Sequence, residues 1–192
     1  MPRKYMKGSW AENGRVMPGC RTKPKRIDQI LADGSVIQKG NDQKFSPREI
    51  RSLLSGCFDE ISAKDGRLYL SSLSNCGKGV CFYTRNINHL GGDWGSEKKR
   101  IQIGVDFPAL YKENIGKSIE TVLLGIYHYY PDGEQGVELF VCFSAATYAA
   151  RSTNNSAAHI HTIDLITAQK KGVYRRIDKS GNELLVLNKE NH

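Results

Sequence analysis

An α+β fold is predicted: a small, seven-stranded, mostly antiparallel open barrel with two short helices, preceded by a capped helix and a basic N-terminal arm. Three observations carry this prediction. Beyond residue 66, seven short segments follow a hydrophobic period of two, bounded by turn chemistry. Helical signals interrupt these strands after the third and after the fifth, an order that suits a closed or partly open barrel. With 192 residues and 39% hydrophobic content, the chain can fill one core but would crowd two.

Residues 1 to 45 mix Gly, Pro, Lys and Arg with scattered apolar residues, too few to build a core, and read as a flexible basic arm. Within it, Asp33-Gly34 is a favoured tight turn and could fold a hairpin. The globular domain is placed at 46 to 192. Ser46 as N-cap, Pro47 at the first helical position and Glu49 at the capping-box position start a helix. Ile50, Leu53, Leu54, Cys57, Phe58 and Ile61 form its apolar face. Strands follow at about 67–73, 79–85 and 99–105, then a helix from Pro108 to about 117. Two more strands, 120–130 and 137–143, are joined by Pro131-Asp132-Gly133, which has turn chemistry. A helix over 160–171 ends at Gly172, with Lys170 and Lys171 in its last turn, where cations suit the helix dipole. Strands at 173–177 and 183–187 complete the set.

The formal charge of +8 favours a polyanionic partner. Residues 1 to 45 hold ten Lys or Arg against four acids, so most of that excess lies in the arm. No run of 18 apolar residues exists, and the N-terminus lacks the apolar core of an export signal, so the chain reads as a cytoplasmic protein without a membrane partner. Five cysteines without paired spacing read as reduced thiols. Cys76 and Cys81 lack two further ligands at matching spacing, and no metal site is assigned.

The run KKRIQIGVDFPALYKENIG, followed by ETVLLGIYHYYPDGEQGVELFVCF, resembles the strand, helix, strand, turn, strand core of DNA-binding pseudobarrel domains. Such domains occur in plant transcription factors and in the effector or specificity parts of some bacterial restriction endonucleases. The likeness spans roughly residues 67 to 187. It implies two strand-loop arms that enter the DNA major groove, which is wide enough for a β-ribbon. One arm would be 71–86, with Asn75, Lys78, Arg85 and Asn86. The other would be the 131–136 turn, but Asp132 and Glu134 there oppose phosphates, so the basic arm or the 151–156 loop takes its place.

Two further segments carry contact chemistry of their own. In GGDWGSEKKR, Trp94 lies on a glycine-rich loop before Lys98, Lys99 and Arg100, so it can stack a base while the cations hold the backbone. Alternatively, Trp94 caps the core and the cations are a solvated strand start. Arg151 to Ser156 offers one cation and five hydrogen-bonding side chains, with Arg151, Asn154 and Asn155 suited to base edges. The competing reading is a polar loop that supplies a helix N-cap. His159 and His161 stand about 200° apart on a helix and read as one packed and one exposed histidine.

Nuclease signatures are incomplete. Gly125-Ile126-Tyr127 resembles the opening of GIY-YIG nucleases, with Arg151, Glu183 and Asn188 following in order, but Leu139-Phe140-Val141 replaces the partner tripeptide. Pro131-Asp132 and Glu138 resemble the PD-(D/E)xK pattern, whose lysine is replaced by Phe140. Catalytic residues are therefore unassigned. No HNH pattern, G-x-S-x-G elbow or phosphate-binding glycine loop is present.

The resulting expectation is a DNA-binding protein, a sequence- or modification-reading component of a prokaryotic restriction or defence system; the restriction context comes from the resemblance. Its partner is double-stranded DNA, a homodimer is compatible with the sequence, and no cofactor is needed. One alternative is a restriction-type endonuclease using Mg2+; another is an RNA-binding protein. Contact candidates are Lys78, Arg85, Asn86, Trp94, Lys98, Lys99, Arg100, Arg151, Asn154 and Asn155.

Overall fold

A computed structural model describes residues 26–191 apart from 59, 66, 74–77, 92–93, 133–134, 152–155 and 178–180. The N-terminal 25 residues, and with them most of the expected arm, lie outside the described residues. The described part of that segment is packed. β1 (Ile27–Ile30) and β2 (Val36–Lys39) form an antiparallel hairpin, and Ile27 and Ile30 are buried. Its turn uses the chemistry read from the sequence: the Ser35 amide donates to Asp33 Oδ1 at 2.7 Å, and Gly34 takes a positive φ of 75°. The hairpin precedes the boundary placed at residue 45, and its Ile30 belongs to the core cluster.

After the hairpin, residues 40–46 form a strap that leads into α1 (Pro47–Ser55). The capping box is formed as predicted: the Ser46 amide donates to Glu49 Oε2 at 2.7 Å, and the Glu49 amide donates to Ser46 Oγ at 3.3 Å. The helix buries Ile50, Leu53 and Leu54 against Tyr69, Phe82, Leu124, Ile126 and Phe140. Burying each leucine contributes about 1.5–3 kcal/mol.

In chain order follow β3 (Ser62–Ala63), β4 (Leu68–Leu73), β5 (Lys78–Asn86), β6 (Asn88–His89), β7 (Lys98–Gln102) and α2 (Phe107–Gly116). Then come β8 (Glu120–Tyr129), β9 (Val137–Phe143), α3 (Ala145–Ala149), β10 (Ala157–His161), α4 (Thr162–Lys171), β11 (Val173–Ile177) and β12 (Glu183–Asn188). A single 3-10 turn, Lys189–Asn191, closes the described chain.

Seven strands do share a sheet, in the order β11-β12-β9-β8-β5-β4-β3, but that sheet is open and no closed barrel forms among the described residues. Strand 99–105, expected as its third member, goes elsewhere. β7 joins a separate three-stranded sheet, β10-β7-β6. The physical reason is the parallel pairing of β5 with β8, which obliges the chain to leave the sheet, form β6, β7 and α2, and return. Helix content also differs from expectation. Ser144 caps an additional short helix, α3, accepting from the Thr147 amide. Residues 160 and 161, assigned to a helix, belong instead to β10, which pairs with β7.

The small sheet, α2, α4 and the β1–β2 hairpin cover the face of the large sheet opposite α1, around Ile101, Phe107, Leu123, Tyr127, Ile160 and Leu165. Gly125 makes this close approach possible. A Cβ there would sit 3.0 Å from Ile87 Cδ1 and 3.1 Å from Ile101 Cγ2, so a larger residue would push the two sheets apart. No helix of the described residues is long and apolar enough to cross a membrane.

Candidate nucleic-acid interface

Strand alternation sorts the small sheet into two faces. Along β7 the side chains of Lys98, Arg100 and Gln102 point away from the core, while Lys99 and Ile101 are buried. β10 pairs with it so that His161 lies opposite Lys98 and His159 opposite Arg100. On the other side Asn88 of β6 lies opposite Arg100. One row of the outer face therefore reads His159, Arg100, Asn88 across three strands. The histidines, expected as one packed and one exposed, share this outer side because residues two apart on a strand face the same way; the packed residue between them is Ile160.

Around this row the charge is of one sign. Burial first, and then Arg100, Arg151, His161 and Lys98, lower the pKa of His159 from the ordinary histidine value. Lys98 Nζ lies 4.6 Å from the centre of the Trp94 ring, and Arg151 lies 4.2 Å from that of Tyr148. These are cation–π distances. Trp94 is 53% exposed and so does not cap the core. Among the described residues, neither Lys98, Arg100 nor Arg151 takes part in an ion pair.

Other candidates point elsewhere. The Arg85 guanidinium lies 3.9 Å from the centre of the Tyr83 ring, donates to the Gln102 and Thr84 carbonyls at 3.0 and 2.8 Å, and also donates to the Tyr83 hydroxyl. It ties β5 to the end of β7, and burial lowers its pKa. The Asn86 carboxamide holds Phe45 by both backbone groups at 2.9 Å. Lys99 is fully buried, 2.5 Å from Asp42 Oδ1. Lys78 begins β5, roughly 23 Å along the strand from Arg85. Asn154 and Asn155, like Asn75, Gly133 and Glu134, lie outside the described residues.

The nuclease-like positions are engaged within the fold. Tyr127 is buried, its hydroxyl accepting from the Ile30 amide at 2.8 Å and donating to Gln29 Oε1 at 3.0 Å, and burial pushes its pKa up. Glu138 accepts from the Tyr130 hydroxyl and pairs with Lys189; Glu183 pairs with Arg175. The register pairs Phe143 with Leu184, which places Glu183 roughly 20 Å along the sheet from Glu138, too far to share one metal ion. Among the described residues, no group of three His, Cys, Asp or Glu side chains is placed to hold a metal.

Sequence reasoning missed Asn88, Gln102 and the two histidines as members of one face. The alternation Lys98, Arg100, Gln102 was a legible signal, whereas the partner strands depended on long-range pairing. No curated protein and no solved structure matches the chain. A family model described as methylase-associated X1 matches residues 78–191. That span contains β5 through the last turn, and with it the whole small sheet and every cation of its outer face. Because the match covers more than half of its length, this chain belongs to the methylase-associated X1 family.

Proposed function

We propose that this protein is a DNA-binding component of a restriction or modification system and that it contacts duplex DNA through the outer face of the small sheet. Membership of a methylase-associated family fits a restriction- or modification-related role. The observation that supports the DNA contact is the convergence of Lys98, Arg100 and Arg151 around His159 and beside an exposed Trp94, with no ion pair to any of the three among the described residues. Lys98 and Arg100 stand on a strand paired on both sides, so phosphate meets cations already held on a rigid frame. The β6–β7 hairpin, with Trp94 in its connecting loop, forms one edge of the three-stranded sheet, and strands of a sheet can read DNA from within a groove. Double-stranded RNA has a major groove too narrow for it.

In the test, affinity for duplex DNA, single strands and structured RNA is measured against salt, with magnesium present and the products run on a gel. Duplex DNA is expected to bind best, along a straight log-log salt line. Lys98→Ala with Arg100→Ala should reduce the slope by about 1.8, because each lost phosphate contact removes about 0.9. Affinity independent of salt, or a slope unchanged in the double variant, would remove this face from the interface. Preferential RNA binding would favour the RNA alternative, and magnesium-dependent cleavage would favour the endonuclease.

A further inference from the structure

The large sheet ends in two edges of different kinds. At one end β3 has two residues, too short to template another strand. At the other, β11 has five, keeps an unbroken register with β12 from Val173 to Ile177, and has no strand on its outer side among the described residues. It contains no proline, and its Val173 and Ile177 are 49% and 60% exposed. Folded proteins normally pair or cover an edge of this length when it carries exposed apolar side chains.

One hydrogen bond tells which backbone groups of that edge face outward. The Asn188 amide donates to the Gly172 carbonyl at 2.8 Å, and these two residues continue the β11–β12 register by one step. Opposite residues of an antiparallel pair alternate between bonded and non-bonded, so Gly172, Tyr174 and Arg176 bond toward β12. The N–H and C=O groups of Val173, Arg175 and Ile177 therefore point away from the sheet. Side chains alternate as well. Val173, Arg175 and Ile177 share one face of the strand, and Tyr174 and Arg176 share the other, where Arg176 pairs with Asp164 of α4 at 3.1 Å.

We propose that β11 pairs antiparallel with β11 of a second copy of this chain, about a twofold axis at Arg175, and so joins two large sheets into one. Among the antiparallel registers that set this strand against itself, the one centred on Arg175 alone engages the outward groups of all three residues. It places Val173 opposite Ile177 of the second copy, and Ile177 opposite Val173 of the second copy, so each exposed apolar side chain meets an apolar partner. On the other face it places Tyr174 opposite Arg176 of the second copy, an aromatic–cation pair that the symmetry makes twice. Arg175 meets its own twin at the axis, and that like charge is compensated because each guanidinium is already paired with Glu183 of its own hairpin. A strand of a different protein would find the same backbone groups, but the match of this strand with its own reverse points to a second copy. Five residues a side make a small interface, so the dimer is reversible and depends on concentration. The pairing is independent of the DNA contact, which lies on the small sheet.

Sedimentation of the full chain from micromolar to millimolar concentration, with hydrogen exchange of the β11 amides read at both extremes, tests this pairing. The mass should rise toward that of two chains. The amides of Val173, Arg175 and Ile177 should exchange on the order of tenfold more slowly at the high concentration, while those of Tyr174 and Arg176 stay protected throughout. Arg175→Pro removes an outward amide and no bond to β12, and Val173→Lys with Ile177→Lys puts cations on two exposed positions. Both variants should keep the parent's circular dichroism and sediment as single chains; should the proline variant unfold, the lysine variant decides alone. A mass that stays that of one chain at millimolar concentration, outward amides whose protection does not change with concentration, or a dimer that survives in the lysine variant would overturn the pairing.

Discussion

Lys98, Lys99 and Arg100 are consecutive, yet they serve the two faces of the small sheet in opposite ways. Lys99 points inward, loses all contact with water and is held by Asp42 in a network that also includes Gln29 and the His89 amide. Lys98 and Arg100 point outward, and neither forms an ion pair among the described residues. Local composition therefore does not decide whether a cation recognises a partner or holds the fold; strand parity decides it. The inner cation fixes the strap.

The largest expected effect lies on the inner face. Asp42→Ala strands a buried ammonium, and removing one partner of such a pair costs about 3–5 kcal/mol in denaturant unfolding. The double replacement Asp42→Leu with Lys99→Met should recover much of that loss. If Asp42→Ala unfolded at the same denaturant concentration as the parent, Lys99 would not be the structural member of the run.

Next comes a control on the opposite side of the large sheet. Ser46→Ala removes one half of the capping box and should cost about 1 kcal/mol, without altering the salt slope of DNA binding. A changed slope would place the strap in the interface directly. Lys98→Ala should be smaller still in stability, within about 0.5 kcal/mol, while affinity for DNA falls. A large loss of stability would erase the distinction between the faces.

The pH dependence sharpens the same contrast. Burial lowers the pKa of His128, and burial together with surrounding cations lowers that of His159, both from an ordinary value of 6.5. The unfolded chain then takes up protons that the folded chain does not, so stability is full above the ordinary value and falls as the pH drops below it. DNA bound at the outer face should reverse this for His159, because phosphate charge raises its pKa. Affinity should therefore rise from pH 8 to pH 6, and His159→Gln should flatten that rise. A rise that persists in the variant would have to come from another group.

Much of the local structure was legible. The helix start at Ser46, the turn at Asp33-Gly34 and the close of α4 at Gly172 each rest on chemistry within four residues, which neighbouring side chains can specify alone. The outward cations of β7 were legible too, since alternation follows from the strand. Long-range pairing was not. The last two residues of AAHIH fall in the helix expected over 160–171, yet β7 draws the whole segment into a strand. Arg85 and Asn86 had the composition of contact residues, and only the packed fold brings the Gln102 carbonyl and Phe45 to bind them. The Gly125-Ile126-Tyr127 tripeptide owes its glycine to sheet-on-sheet packing and its tyrosine to the β1 strand.

The amino-acid order specified charge, turns, caps and the inward or outward sense of each strand residue, because those depend on bond geometry and on neighbours a few positions away. The parallel pairing of β5 with β8, the transfer of β7 to a second sheet and the meeting of Asp42 with Lys99 across 57 positions came from packing alone. The free energy of burying one apolar surface is nearly indifferent to which other surface covers it, and only the whole set of contacts selects the partner.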